Sequence, residues 1–237
     1  MQPPLPKVIV LGLDGVSWPL IQDLGSAGYM PRLWSLVQEG YAGPMNSTWP
    51  EISPVAWTTF FTGQPAGEHG IFGFTEFAPA SYQVKYNSSA DVRKPYLWDW
   101  LDLRGGRSVV LNVPLTYPAR PLSGIMVSGF VALSYQRAVW PIAVADFLRE
   151  SGYKLEADFE RVHRDRPAFL ADLDQALAGR WKILERFWPE PWDLFTLVVT
   201  DTDRLLHFFY GEYLEHGKIT DYFIDFFQRV GRIVGRV

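Results

Sequence analysis

At 237 residues, 48% hydrophobic and 16% aromatic with ten Trp, the chain has the composition of a globular protein with a sizeable core, which excludes disordered and fibrous classes. A formal net charge of -4 argues against a nucleic-acid polymer held by bulk positive charge. Cysteine is absent, so disulfides, thiolate metal sites and cysteine nucleophiles are excluded, and any metal must be held by Asp, Glu, His or hydroxyl oxygens.

The start, MQPPLPKVIVLGLDG, has one Lys and no long apolar stretch of the signal-peptide kind, and no later run is long enough to span a bilayer. A cytoplasmic protein with no membrane contact is expected. Lys7 to Leu13 is a continuous apolar run ending at Asp14-Gly15, the pattern of a parallel strand buried on both faces. A crossover helix is predicted next: Pro31 stands near its start, Leu33, Leu36 and Val37 share a face, and Gly40 closes it. The stretch TWPEISPVAWTTFFTGQPAGEHGIFGF, Thr48 to Phe74, then sets a Ser-Pro pair ahead of a short apolar helix.

Residues 74–106 are rich in polar and turn residues and read as an excursion beside a sheet. Further strands are expected at Arg107 to Val113, Gly124 to Phe130 and Trp192 to Thr200, and helices at Pro141 to Ser151, Pro167 to Phe187 and Asp203 to Leu214. Strands separated by helices predict an α/β domain on a mostly parallel sheet. With no internal repeat, low-complexity run or clean linker, residues 1–237 read as one domain.

Open α/β sheets bind ligands at the carboxyl ends of their strands. Asp14 follows the first strand; Asp201 and Asp203 follow the last, and His207 lies four residues beyond Asp203, on the same helical face, close enough for both to bind one metal ion. Each element alone has an ordinary reading: Asp14-Gly15 as a turn, Asp201 or Asp203 as a helix cap, and Ser53 as the cap of a helix whose first residue is Pro54. In combination they suggest more. A serine at a helix N-terminus sits beside amide groups suited to phosphate. Pro54 has no N–H, so the amides of Val55 and Ala56 are the expected donors. A divalent cation held in part by Asp14 could activate the hydroxyl as an alkoxide.

VLGLDG, the Ser53 region with TGQPAGEHGI, and DTDRLLH together resemble the type I phosphodiesterase and nucleotide pyrophosphatase branch of the alkaline phosphatase superfamily. In that branch a Thr or Ser lies nine residues before the Thr of a Thr-Gly pair, as Ser53 does before Thr62. The resemblance implies an α/β sandwich around a central sheet. It implies two divalent metals, usually zinc with manganese as the alternative, and hydrolysis of phosphate mono- or diesters through a phospho-enzyme on the serine. By position, Asp14 and Ser53 would face one metal, and Asp203 and His207 the other. A phosphoester small molecule is the implied partner; oligomeric state is left open. The stretch NVPLTYPARPLSGIMVSGF is also similar to one found in prokaryotic members, with no chemical role assigned to it.

Two positions depart from that pattern. Nucleotide pyrophosphatases carry an Asn shortly after the His-Gly-Ile run, where this chain has Phe74. The branch also has an Asp-His pair after a further strand and another His near the C-terminus, whereas the four histidines here are His69, His163, His207 and His216 and no Asp-His dipeptide occurs. His69 and His163 are expected to be structural or solvated, and His216-Gly217 to be a helix end. From Phe223 to Val237 apolar residues recur at helical spacing to the last position, a face expected to pack under something that follows. The reading is therefore a fragment, one to a few strands short of its sheet, of a metal-dependent phosphoester hydrolase. The alternative is a non-catalytic phosphate-binding or interaction protein with a degenerate metal site. A dinucleotide-binding oxidoreductase is disfavoured because VLGLDGVS lacks the G-x-G-x-x-G loop.

Overall fold

The computed structural model describes residues 6–78, 81–155 and 159–237. In chain order its elements begin with β1 (Val8–Leu13), α1 (Trp18–Ser26), α2 (Pro31–Glu39), α3 (Ser53–Thr62), α4 (Ala66–His69), β2 (Thr75–Phe77), β3 (Val84–Tyr86) and α5 (Leu97–Asp102). There follow β4 (Ser108–Val113), β5 (Gly124–Ser128), α6 (Tyr135–Ala138), β6 (Val139–Trp140), α7 (Val144–Glu150), α8 (Arg166–Phe187), β7 (Leu194–Val199), α9 (Asp201–Leu214) and α10 (Thr220–Arg236).

The main sheet has the order β1-β7-β4-β5-β6. β4 runs parallel to both β5 and β7, and β6 is antiparallel to β5. β1 begins where Val8 N–H donates to Asp193 O at 2.7 Å and ends where Asp14 N–H donates to Val199 O at 3.1 Å, so it too runs parallel to β7. This is the mostly parallel α/β sheet that the alternation of runs predicts. β4 and β7 are buried at every residue, as unbroken apolar strands between covered faces should be. β1 departs from expectation. It lies at the sheet edge with Val8 and Ile9 exposed, because an apolar run signals a strand without saying how many neighbours it has.

Element ends also shift. α9 starts at Asp201, two residues early, because Thr200 already has helical dihedrals as the chain leaves β7. α7 covers only Val144–Glu150 of the helix expected from 141.

The chain gathers into two compact units. The first holds residues 6–12, 47–155 and 182–198 and carries the body of the sheet. Its core joins Val55 and Phe61 of α3 to Val110 of β4, Val198 of β7 and Trp98 of α5. The 74–106 excursion is thus pinned: β2 and β3 pair as a separate antiparallel ribbon, while Tyr96 stacks on buried Trp98 at 4.5 Å. Burial raises the Tyr96 phenol pKa well above the usual tyrosine range.

The second unit holds residues 13–46, 159–181 and 199–237. α10 packs there against α2 and α9. Its apolar face, Phe223, Phe226, Phe227, Val230, Ile233 and Val234, is already buried, with Tyr213 of α9 stacked on Phe223 at 4.1 Å. The face expected to need a later segment is therefore covered by its own unit. Among the described residues, no helix is long and apolar enough to cross a membrane.

Candidate functional site

In the second unit Asp14 leaves the end of β1, nearly buried at 8% exposure. Gly15 follows with φ +72°, in the left-handed region, and a Cβ there would fall 2.9 Å from Asp203 Oδ1 and 3.1 Å from Asp203 Cα. Glycine is thus required twice, by backbone conformation and by the close approach of α9. The Thr202 hydroxyl, fully buried, lies 2.7 Å from Asp14 O and 2.8 Å from Val199 O and shares its proton between them. Together these contacts hold the first turn of α9 against the loop after β1 and bring the backbone at Asp14 and Gly15 close to the start of α9.

Asp203 is largely buried, and its carboxylate is shared. Arg204 Nη1 donates to Oδ2 at 3.1 Å, and His207 Nε2 lies 3.3 Å from Oδ1 across one helical turn. The His207 ring is two-thirds exposed. Beneath them Arg180 Nε donates to Asp201 Oδ2 at 3.0 Å, with both side chains almost wholly buried. A desolvated ion pair of this kind holds its partners in one geometry, since separating them would strand a buried charge. It fixes the start of α9. Arg180, Thr202 and Arg204 were not singled out from sequence, and Arg180, in mid-α8, carries no local signal of its partner.

Among the described residues, no group of three or more His, Cys, Asp or Glu is arranged to hold a metal ion. The Asp203–His207 pair supplies two donors, where a catalytic zinc has three protein ligands and a structural one four. These residues do not by themselves fit a closed divalent-metal site.

Ser53 belongs to the first unit, as residue N1 of α3. Ile52 is the cap residue, in extended conformation, so the helix begins one residue earlier than a Ser53 cap implies. The amides expected as phosphate donors are occupied here: Val55 N–H and Ala56 N–H both donate to Ile52 O at 3.0 Å. Ile52 O closes the first turn and takes both. The helix ends at Gly63, φ +63°, whose N–H bonds Thr59 O. Thr62, the Thr of the Thr-Gly pair, gives its hydroxyl proton to Thr58 O.

The Gly-Glu-His-Gly turn serves α3 as a brace. His69 is fully buried; Ile71 N–H donates to its Nδ1 at 3.1 Å, which leaves the proton on Nε2 to donate to Thr59 Oγ1 at 2.9 Å. Burial lowers its pKa and keeps the ring neutral. The expected structural role is what the geometry shows. Phe74, where nucleotide pyrophosphatases carry Asn, meets Phe130 edge to face at 5.2 Å.

Residues 8–237 match the family model described as type I phosphodiesterase / nucleotide pyrophosphatase. Among curated proteins none matches the chain. Two crystal structures of phosphonoacetate hydrolase from Sinorhizobium meliloti 1021, in complex with phosphonoacetate and with phosphonoformate, resemble it with a TM-score of 0.61 at 18% identity. Each likeness covers 97% of this chain and 52% of that enzyme, so the chain spans about half its length. At that identity the likeness speaks for the fold.

Proposed function

The chain belongs to the type I phosphodiesterase / nucleotide pyrophosphatase family, and from that premise we propose that it is part of a phosphoester hydrolase working through a serine phospho-enzyme on Ser53. The observation that carries this reading is the family match over 8–237, with Ser53 at N1 of α3 where the positive end of a ten-residue helix favours an anion. The Ser53 oxygen bonds to phosphorus as the ester oxygen leaves, the seryl proton balancing that taken up by the leaving alcohol. Water then hydrolyses the intermediate to regenerate serine and release phosphate from a monoester or a phosphate monoester from a diester. Val55 and Ala56 would donate to a phosphate oxygen only by giving up Ile52 O.

The family is typically metal-dependent. Asp14, Ser53, Asp203 and His207 are the residues we propose as this chain's metal donors, two divalent ions, zinc before manganese, being the expected complement. No step is assigned to those ions, because the donor set present does not enclose one. A phosphate mono- or diester is the substrate class that supports this reading, and a cytoplasmic location is retained.

A second reading, a phosphate-binding protein without turnover, is favoured by the same short donor set and by the occupied amides. Acid-quenching the chain after incubation with an aryl phosphate ester and zinc, then mapping phosphate by mass spectrometry, separates the two. A phosphate adduct on Ser53, absent from Ser53→Ala, supports the enzyme. Turnover or adduct that survives in Ser53→Ala overturns the nucleophile. Retention of phosphate with neither adduct nor turnover favours the second reading.

A further inference from the structure

The second unit has a pocket of about 580 Å³ lined by residues of α2 and α10 and by Trp181 of α8. None of its lining residues is Asp14, Asp203 or His207. Three features give it a chemical preference. The first is charge: Arg32, Arg232 and Arg236 line it, and among the described residues neither Arg32 nor Arg232 forms an ion pair with a carboxylate. In a chain of net charge -4, Arg32 and Arg232 together are a local excess of positive charge.

The second is the way α10 is built. Gln228, Arg232 and Arg236 stand at intervals of four along the face opposite the buried Phe and Val residues, so their side chains rise in a row. Gly231 and Gly235 form a parallel row without side chains. A Cβ on Gly235 would press on Arg32 Cγ at 3.0 Å, and one on Gly231 would reach Met30 at 3.6 Å. Gly235 thus lets the first turn of α2 come close, whereas a Cβ on Gly231 would meet Met30 only in ordinary contact, and that turn adds Pro31, Arg32 and a helix N-terminus to the wall. The third is aromatic: Tyr29 and Trp181 line the same space, with Trp181 37% exposed.

Guanidinium groups bind phosphate oxygens in a two-pronged geometry, and an exposed indole offers a face on which a flat base can stack. We propose that this pocket, whose lining does not include Ser53, binds a nucleoside polyphosphate, the phosphates on Arg32 and Arg232 and the base against Trp181. The volume suits a small molecule of that size.

The test is calorimetric titration of the chain with ATP, inorganic pyrophosphate and adenosine, in chelator to remove divalent ions. ATP is expected to bind more tightly than pyrophosphate, adenosine weakly, and ATP affinity to fall as salt is raised. Arg32→Ala with Arg232→Ala should weaken ATP at least tenfold. Trp181→Ala should erase the preference for ATP over pyrophosphate while leaving pyrophosphate binding in place. Ser53→Ala should bind ATP like the parent, which separates this pocket from the proposed nucleophile. Both arginines are exposed, so the double variant should keep its circular dichroism and melting temperature. Absence of ATP binding at millimolar concentration, or binding unchanged in the double arginine variant, overturns the proposal.

Discussion

Gly15 is the residue at which backbone and site constrain each other most tightly. Alanine there would combine a strained left-handed φ with a Cβ 2.9 Å from Asp203 Oδ1. Gly15→Ala is expected to cost about 1–3 kcal/mol, a fall of roughly 2–4 °C in melting temperature per kcal/mol, measurable by calorimetry. His69 makes stability pH-dependent with a definite sign. Its pKa in the folded chain lies below the 6.5 of the unfolded one, so the unfolded state binds more protons just below that value. Stability is full above about pH 6.5 and declines as pH falls toward the folded pKa. His69→Gln should flatten that part of a urea-midpoint profile between pH 7.5 and 5, at a cost in overall stability from the lost Thr59 and Ile71 contacts. The nearness of Asp14 to Asp203 was legible because each follows a strand end, and that of His207 to Asp203 because the two stand four residues apart along α9. The engagement of Val55 and Ala56 was not, since a helix's first turn can close on the residue before it and sequence shows no hydrogen bonds.

At the scale of elements, α9 is the piece that presents Asp203 and His207, and the Arg180–Asp201 pair fixes where it begins. Arg180→Met leaves Asp201 charged, buried and short of its partner, and should destabilise by about 3–5 kcal/mol. Adding Asp201→Leu should recover much of that loss, as denaturant midpoints of the single and double variants would show. Zinc binding should be weak: two donors within reach predict no tight site in a calorimetric titration, and tight binding at two sites would contradict the assignment. The strands β4, β5 and β7 and the helices α2, α8, α9 and α10 could be read from apolar periodicity. β2 and β3 could not, being three residues long with Phe77, Val84 and Tyr86 exposed, so neither length nor alternation marks them. Arg180's partner was equally hidden, because an ion pair across 21 positions leaves no periodic trace.

For the molecule as a whole, the mostly parallel sheet has one consequence for its synthesis. β1 and β4 are not neighbours; β7 lies between them, and the backbone bond from Val8 reaches Asp193. Among the described strands, β1 is the first to be made and pairs only with β7, the last of them to be made, so it waits for β7 before it gains that partner. At about 5–20 residues per second, the gap between them corresponds to roughly 10–40 s of translation. Throughout that interval VIVLGL is an unpaired apolar strand, a segment of the kind that chaperones bind and that nascent chains aggregate through. Ribosome-arrested chains ending before residue 194 should thus be captured by a chaperone holdase and cut readily near β1, and chains extended past Val199 and clear of the exit tunnel should lose both properties. Arrested chains of the two lengths that behaved alike would show that β1 finds shelter elsewhere while it waits.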